Sequence, residues 1–321
     1  MDILEMLSKK SAANKELLVF IGGSAIQTAA LEKPKRLSID LDIYYSGDAP
    51  KLLAILKPEC EVSPRPTKQT ELFDFYNVVK NGVKVKIDVT RFPLVDKGVP
   101  YETRSLNRGR FKTSVATPDY LLASKLSALA VGTIGRRGER IDFLKDVFDS
   151  DCLLSEYDIS GKTIEYFKQI CKTQNRIRKT KFSLNEILES ITKALLGSAL
   201  TDDYRTTIKK ADLGNFTEYL LVGGLKKTDY WTMVYRLAAI LNAFKRPNAG
   251  ETLNLIKLIE KTANEKYAEG SFVEKCEQEL SHKGIDSKQL HELKVTAPKA
   301  LAYFYAFYFP AEIETYAKSK A

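Results

Sequence analysis

The stretch FIGGSAIQTAALEKPKRLSIDLDI, residues 20–43, decides how the rest of the chain is read. It continues an apolar run that begins at Leu17 and breaks at Gly22-Gly23-Ser24. A short amphipathic run, 25–31, follows. A basic loop, Lys33-Pro34-Lys35-Arg36, then leads into 37–45, which alternates as a strand does. Asp40 and Asp42 stand two apart in that strand, so both carboxylates leave the same face.

Two like charges on one face repel unless something offsets them. They are either a solvated pair or the seat of a divalent cation, and oxygen ligands suit Mg²⁺ or Mn²⁺. The Gly22-Gly23-Ser24 turn is either a plain turn or a phosphate cradle: glycine admits close backbone approach, and the N–H groups of a helix start are free to donate. Ser24 adds a hydroxyl. In this order, the two features together point to a triphosphate seat beside a metal seat.

Gly22-Gly23-Ser24 followed by Arg36-x-Ser38-x-Asp40-x-Asp42 is similar to the opening motif of the DNA-polymerase-β-like nucleotidyltransferases. The Arg-x-Ser-x-Asp-Leu-Asp form resembles the AbiEii-type toxins, which include the MenT toxins. The resemblance implies an α+β fold with a polymerase-β-like nucleotidyltransferase domain and a mixed sheet over 1–154. Fifteen residues separate Ser24 from Asp40, more than is usual in the family. That predicts a longer loop around 33–36 and leaves the place of Ser24 open.

Beyond this stretch, 2–15 reads as a helix packed on the core, and 51–56 as a helix opened by Asp48-Ala49-Pro50. Residues 72–79 and 83–90 alternate around Asn81-Gly82, a two-residue hairpin signal. Asp88 ends the alternating series of the second strand. It is either a strand-end aspartate or, as the resemblance implies, the third carboxylate that ligates metal or takes the acceptor's proton. Residues 91–112 read as a loop whose Arg91, Arg104, Arg108, Arg110 and Lys112 are either solvated or placed to hold a triphosphate or an RNA backbone. Thr117-Pro118-Asp119 predicts a helix start, with Thr117 as cap.

The helix after Thr117 carries Lys125, and an arginine-rich turn, 135–140, precedes a second helix, 141–149. This resembles the second family signature. By that likeness Lys125 reaches the nucleotide phosphates, Asp146 positions it, Asp149 is the second acid, and Arg137 helps to hold the nucleotide. Lys145 stands where arginine is usual. From about 155 the pattern is helical to the end, which predicts a mainly α-helical domain over 155–321. Two basic runs, one at 172–181 and one of Arg205, Lys209 and Lys210, either track RNA phosphates or are ordinary solvated surface. The aromatic run at 303–309 reads as core.

The 321 residues, 44% of them hydrophobic, suffice for a sizeable core, and no repeat or low-complexity segment interrupts them. The net charge of +9 suits an anionic partner such as nucleic acid, or a lysine-rich solvated surface. Four widely spaced cysteines and two histidines argue against zinc. No apolar run reaches membrane-spanning length and 1–15 does not read as a signal peptide, so a cytoplasmic protein with reduced thiols and no membrane partner is expected. The resemblance implies a metal-dependent enzyme with catalytic Asp40, Asp42, Asp88, Lys125 and Asp146. It would move a nucleoside monophosphate from an NTP to RNA, tRNA favoured, under control of an antitoxin. Transfer to a protein or small-molecule hydroxyl, or a relative that binds RNA or a partner without turnover, remains open.

Overall fold

In the computed structural model, which describes residues 2–66, 72–135, 140–200, 208–221 and 223–318, the first half is built on one sheet. α1 (Asp2–Ala13) buries Ile3, Leu4, Met6 and Leu7. Lys15, at φ 60°, turns the chain into β1 (Leu18–Ile21). α2 (Gly22–Ala25) runs directly into a π-type turn (Ile26–Ala30), and β2 (Asp40–Tyr45) follows the basic loop. α3 (Ala49–Leu56) is capped by Asp48, whose carboxylate accepts from the Lys51 N–H. β3 (Glu61–Pro64), β4 (Phe73–Lys80) and β5 (Val83–Thr90) follow. The predicted hairpin between the last two is present, with Asn81 and Gly82 both at positive φ.

The loop expected over 91–112 is corrected by β6 (Tyr101–Leu106) and β7 (Phe111–Ala116). They form a hairpin through Asn107, Arg108 and Gly109, all at positive φ. β6 is an edge strand that is mostly exposed, so it carries no apolar stripe to announce it. Its arginines do not reach the cleft described below. Arg104 pairs with Glu102, Arg110 with Glu5, and Arg91, before the hairpin, with Asp74.

The strand order is β3-β4-β5-β2-β1-β7-β6. β1 is antiparallel to β2 and parallel to β7, and β2 is parallel to β5, so the sheet is mixed and the motif lies on its central strands.

α4 (Pro118–Ala128) starts after Thr117, but that residue makes no side-chain cap, and its hydroxyl is buried without a partner. Asp119 instead accepts from the hydroxyls of Ser160 and Thr163, docking the start of α6 (Gly161–Arg178). Between them, α5 (Arg140–Glu156) runs past residue 154. The chain continues through α7 (Leu184–Leu200), α8 (Lys210–Thr217), α9 (Lys227–Ala243) and α10 (Ala249–Lys266). It ends in α11 (Gly270–Ser281), α12 (Ser287–Thr296), α13 (Pro298–Tyr308) and α14 (Pro310–Lys318). α9 is the buried hub of this half, and the aromatic helix α13 packs on it, with Tyr235 stacked on Phe304 at 4.5 Å. The α+β class with a mixed sheet and a helical second half is therefore the one expected. Among the described residues no helix is long and apolar enough to cross a membrane.

One helical segment returns to the sheet half. After α8 the chain extends: the Leu37 N–H donates to the Tyr219 carbonyl at 2.7 Å and the Leu221 N–H to the Lys35 carbonyl at 2.9 Å.

Candidate nucleotide cleft

The glycine turn is shaped by Asp42. Ile21 lies opposite Asp42 in the sheet, and Gly22 follows at φ +73°. A Cβ there would stand 2.0 Å from Asp42 Oδ2, so no other residue fits without moving the carboxylate. Gly23 approaches a second group: its added Cβ would meet Arg36 Nη2 at 2.6 Å and stand 3.7 Å from Lys125 Nζ.

Ser24 is 6% exposed and faces the loop. Its hydroxyl bonds to the Ser38 hydroxyl at 2.7 Å and donates to the Asp40 carbonyl. It thereby ties the turn to the start of β2. Asp40 Oδ1 is buried and has no hydrogen-bond partner. An orphaned buried carboxylate oxygen is costly without a counter-charge.

Asp88 stands directly in register with Asp42 on the neighbouring parallel strand, so both leave the same face. Its carboxylate is held by Arg65, from the end of β3, whose guanidinium also lies 5.7 Å from the Phe75 ring centroid. Among the described residues, no three His, Cys, Asp or Glu side chains gather to hold an ion. Asp40 and Asp42 thus suit a hard cation by their oxygens and the unpaired Oδ1, whereas the three-aspartate cluster expected from sequence is interrupted by an arginine.

Lys125 is not the surface lysine that a mid-helix position suggests. It is 7% exposed, and its ammonium donates to Asp146 Oδ1 at 2.6 Å and pairs with Asp149 Oδ2 at 2.9 Å. Arg36, 5% exposed, clamps the same Asp149 through Nε at 2.8 Å and Nη2 at 2.7 Å. Burial alone would raise the Asp149 pKa, but Lys125 and Arg36 together hold it below the ordinary carboxylate value. Burial likewise works against the charged Arg36, and Asp149 overrides it, so its pKa rises. Gln27 completes the network. Its amide N–H donates to Asp149 Oδ1 at 2.9 Å, and its carbonyl accepts from the Lys35 and Arg36 backbone N–H groups. The long basic loop is therefore pinned to α5 from below.

These elements enclose a polar cleft of about 210 Å³. Of the predicted residues, Gly23, Asp40, Asp42, Lys125 and Asp146 line it. Gly22 and Ser24 are not among its lining residues, Asp88 lies on the adjoining strand, and Arg137 lies outside the described residues. Four contributors were not anticipated. Arg36 belongs to the motif and to the basic loop but was given no role in the site, and Gln27 sits in an otherwise small, apolar run. Tyr219 is brought in from the far half by the backbone bridge, and Lys86 by its register with Asp40. Acids that can seat a cation, a glycine turn and buried lysine suited to phosphates, and an open mouth together suit phosphoryl-group chemistry.

Among solved structures, an antigenic nucleotidyltransferase-like protein from Paracoccidioides brasiliensis is similar at 15% identity and a TM-score of 0.39, over 59% of this chain and 91% of its own. The nucleotidyltransferase toxin MenT4 from Mycobacterium tuberculosis is 15% identical with a TM-score of 0.41, over 78% of this chain and 84% of its own. A CCA-adding enzyme in complex with CTP is 12% identical with a TM-score of 0.29, over 99% and 79%. No curated protein sequence matches the chain. The model of the nucleotidyl transferase AbiEii toxin family of type IV toxin–antitoxin systems matches residues 5–221, and the chain belongs to that family.

Proposed function

We propose that this nucleotidyltransferase moves a nucleoside monophosphate from an NTP to the 3′ hydroxyl of an RNA, tRNA favoured, in a metal-dependent reaction. The observation that carries the reading is the buried, unpartnered Oδ1 of Asp40 beside Asp42, in a cleft that also holds Lys125 and the glycine turn. Asp40 and Asp42 would hold Mg²⁺ or Mn²⁺, which when bound supplies Lewis-acid stabilisation of the transferring group.

The chain's own residues do the rest. The backbone of the Gly22-Gly23-Ser24 turn receives the β- and γ-phosphates, and Ser24 keeps that turn against β2. Lys125 neutralises the triphosphate, with its ammonium positioned by Asp146 and Asp149; Arg137 adds a further cation. The acceptor hydroxyl attacks the α-phosphorus, the bond to the β-phosphate breaks, and pyrophosphate leaves. Asp88 takes the hydroxyl proton once Arg65 has released its carboxylate. Residues 1–154 carry the groups that transfer the nucleotide, and 155–321 present the acceptor and send Tyr219 into the cleft. RNA is supported by the net charge of +9 and by exposed Lys172, Arg176, Arg178, Lys179 and Lys181 at the end of α6 and just beyond it. Membership of the toxin family supports control by a cognate antitoxin and agrees with a cytoplasmic setting.

The test is labelling with α-³²P NTPs in the presence of total RNA and protein extract. Label in a small RNA, lost in Asp40→Ala and Asp42→Ala proteins of unchanged circular dichroism, is the expected result. Label in the protein fraction would reassign the acceptor, and transfer retained by both variants would discard the site.

A further inference from the structure

We infer that Tyr219 is the stacking seat for the base of the incoming nucleoside triphosphate, an inference that rests on the nucleotidyl-transfer reading of the cleft. The charged groups of the cleft are suited to the phosphate end of a nucleotide and its metal. The cleft's lining is four carboxylates, four cationic side chains, and small or aliphatic residues; among the described residues Tyr219 is its one aromatic. A base needs a flat π-face, and stacking on an aromatic side chain is sequence-tolerant and worth about 1–3 kcal/mol per base.

Two further observations point the same way. Tyr219 is 37% exposed, and the residues bridged to it or next to it are also left in water: Leu37 is 50% exposed, Ile39 69% and Leu221 48%. Half of the eight large apolar side chains most exposed among the described residues thus stand on this one bridged pair of segments, at the mouth of a polar cleft. Such a rim marks a binding surface. Ser38, between Leu37 and Ile39, turns inward to Ser24, so the apolar pair faces out beside the path to Asp40. The placement of Tyr219 is also fixed. Its backbone carbonyl, not its ring, accepts from Leu37, while Lys145 Nζ lies 5.4 Å from the ring centroid. Lys145 lines the same cleft, so the pair offers a cation to the phosphates and an aromatic face to the base.

The experiment is calorimetric binding of a non-hydrolysable α,β-methylene NTP with Mn²⁺, to the unaltered protein and to Tyr219→Ala and Tyr219→Phe. Ribose 5-triphosphate, which lacks the base, serves as the second ligand. Tyr219→Ala should weaken NTP binding about 5- to 150-fold. Tyr219→Phe should leave it within about twofold, since the ring is kept. Ribose triphosphate should bind all three proteins alike, because only the base meets the ring. Equal NTP affinity in Tyr219→Ala and unaltered protein would overturn the stacking seat while leaving the transferase reading intact. So would an equal loss of the base-free ligand, or an effect confined to the KM for RNA. Failure of the unaltered protein to bind either ligand would overturn the transferase reading itself, and this inference with it.

Discussion

α5 feeds two ion networks, one buried and one part-buried, and they differ in what they leave unsatisfied. From one side Asp146 and Asp149 take Lys125 and Arg36. From another, Asp151 takes Arg236 of α9 at 3.0 Å. That guanidinium also donates to Glu260 at 2.7 Å, to the Leu154 carbonyl at 3.0 Å and to Ser155, while the Tyr303 hydroxyl donates to Glu260 at 2.8 Å. The Arg236 network is a staple: it joins α5, α9, α10 and α13, and among the described residues it leaves no buried side-chain polar atom without a partner. The Lys125 network borders the cleft, within reach of the glycine turn and an orphaned Asp40 oxygen. A buried salt bridge is weak evidence of function by itself. Its edge, whether closed by protein or open to a cleft, tells the two apart.

The sharpest way to break this comparison is to remove each cation in turn. Lys125→Ala should cut transfer by about 10²–10³-fold, the usual loss for a positioned charge stabiliser, as well as destabilise the fold. Arg236→Ala should cost about 3–5 kcal/mol in urea unfolding, because it strands Asp151 and Glu260, with turnover per folded molecule unchanged. Loss of turnover in folded Arg236→Ala would erase the distinction. Next in size, Gly22→Ala forces a Cβ onto Asp42 at a positive φ. It should lower stability by about 1–3 kcal/mol and abolish Mn²⁺-dependent NTP binding measured by calorimetry.

Arg65→Gln addresses a third ion pair, its side chains 23% and 34% exposed, which on the proposed reading would compete with a cation for Asp88. Releasing the carboxylate should tighten Mn²⁺ binding, followed by electron paramagnetic resonance, by up to roughly tenfold. Weaker binding would mean that Arg65 supports the site.

The smallest effect is in pH. Asp149 has its pKa lowered, so its contribution is complete above the ordinary carboxylate value near pH ~4 and is lost as pH falls towards the depressed one. Asp151 has its pKa raised by burial, against the pull of Arg236, so its sign is opposite: stability falls as pH rises from the ordinary value through the raised one. Thermal melts across that range should therefore flatten in opposite senses for Asp149→Asn and Asp151→Asn.

Much of the sheet was readable because its signals are local. Asn81-Gly82 demands positive φ at both positions, and the alternation of 83–90 names its own faces. β6 escaped because an edge strand can be polar on both faces, whereas β7 is an inner strand whose Phe111, Thr113 and Val115 are buried in alternation, and only its first two residues fell in the expected loop. Within the half expected to be helical throughout, the chain leaves helical geometry after Thr217, and its backbone groups find partners at Lys35 and Leu37 instead. In the cleft, the residues with spacing rules, Asp40, Asp42 and the glycine turn, were found. Gln27 and Tyr219 follow no spacing rule and were not.

By itself, the sequence determined that a glycine turn and two same-face aspartates would share the centre of a mixed sheet, since period and backbone freedom are properties of adjacent residues. It also carried the family to which the chain belongs. Only the tertiary structure decided that Lys125 and Arg36 are buried, that Arg65 occupies Asp88, and that Tyr219 stands at the mouth of the cleft. Those are matters of which charges share a low-dielectric interior, and that is set by packing between segments far apart in the chain.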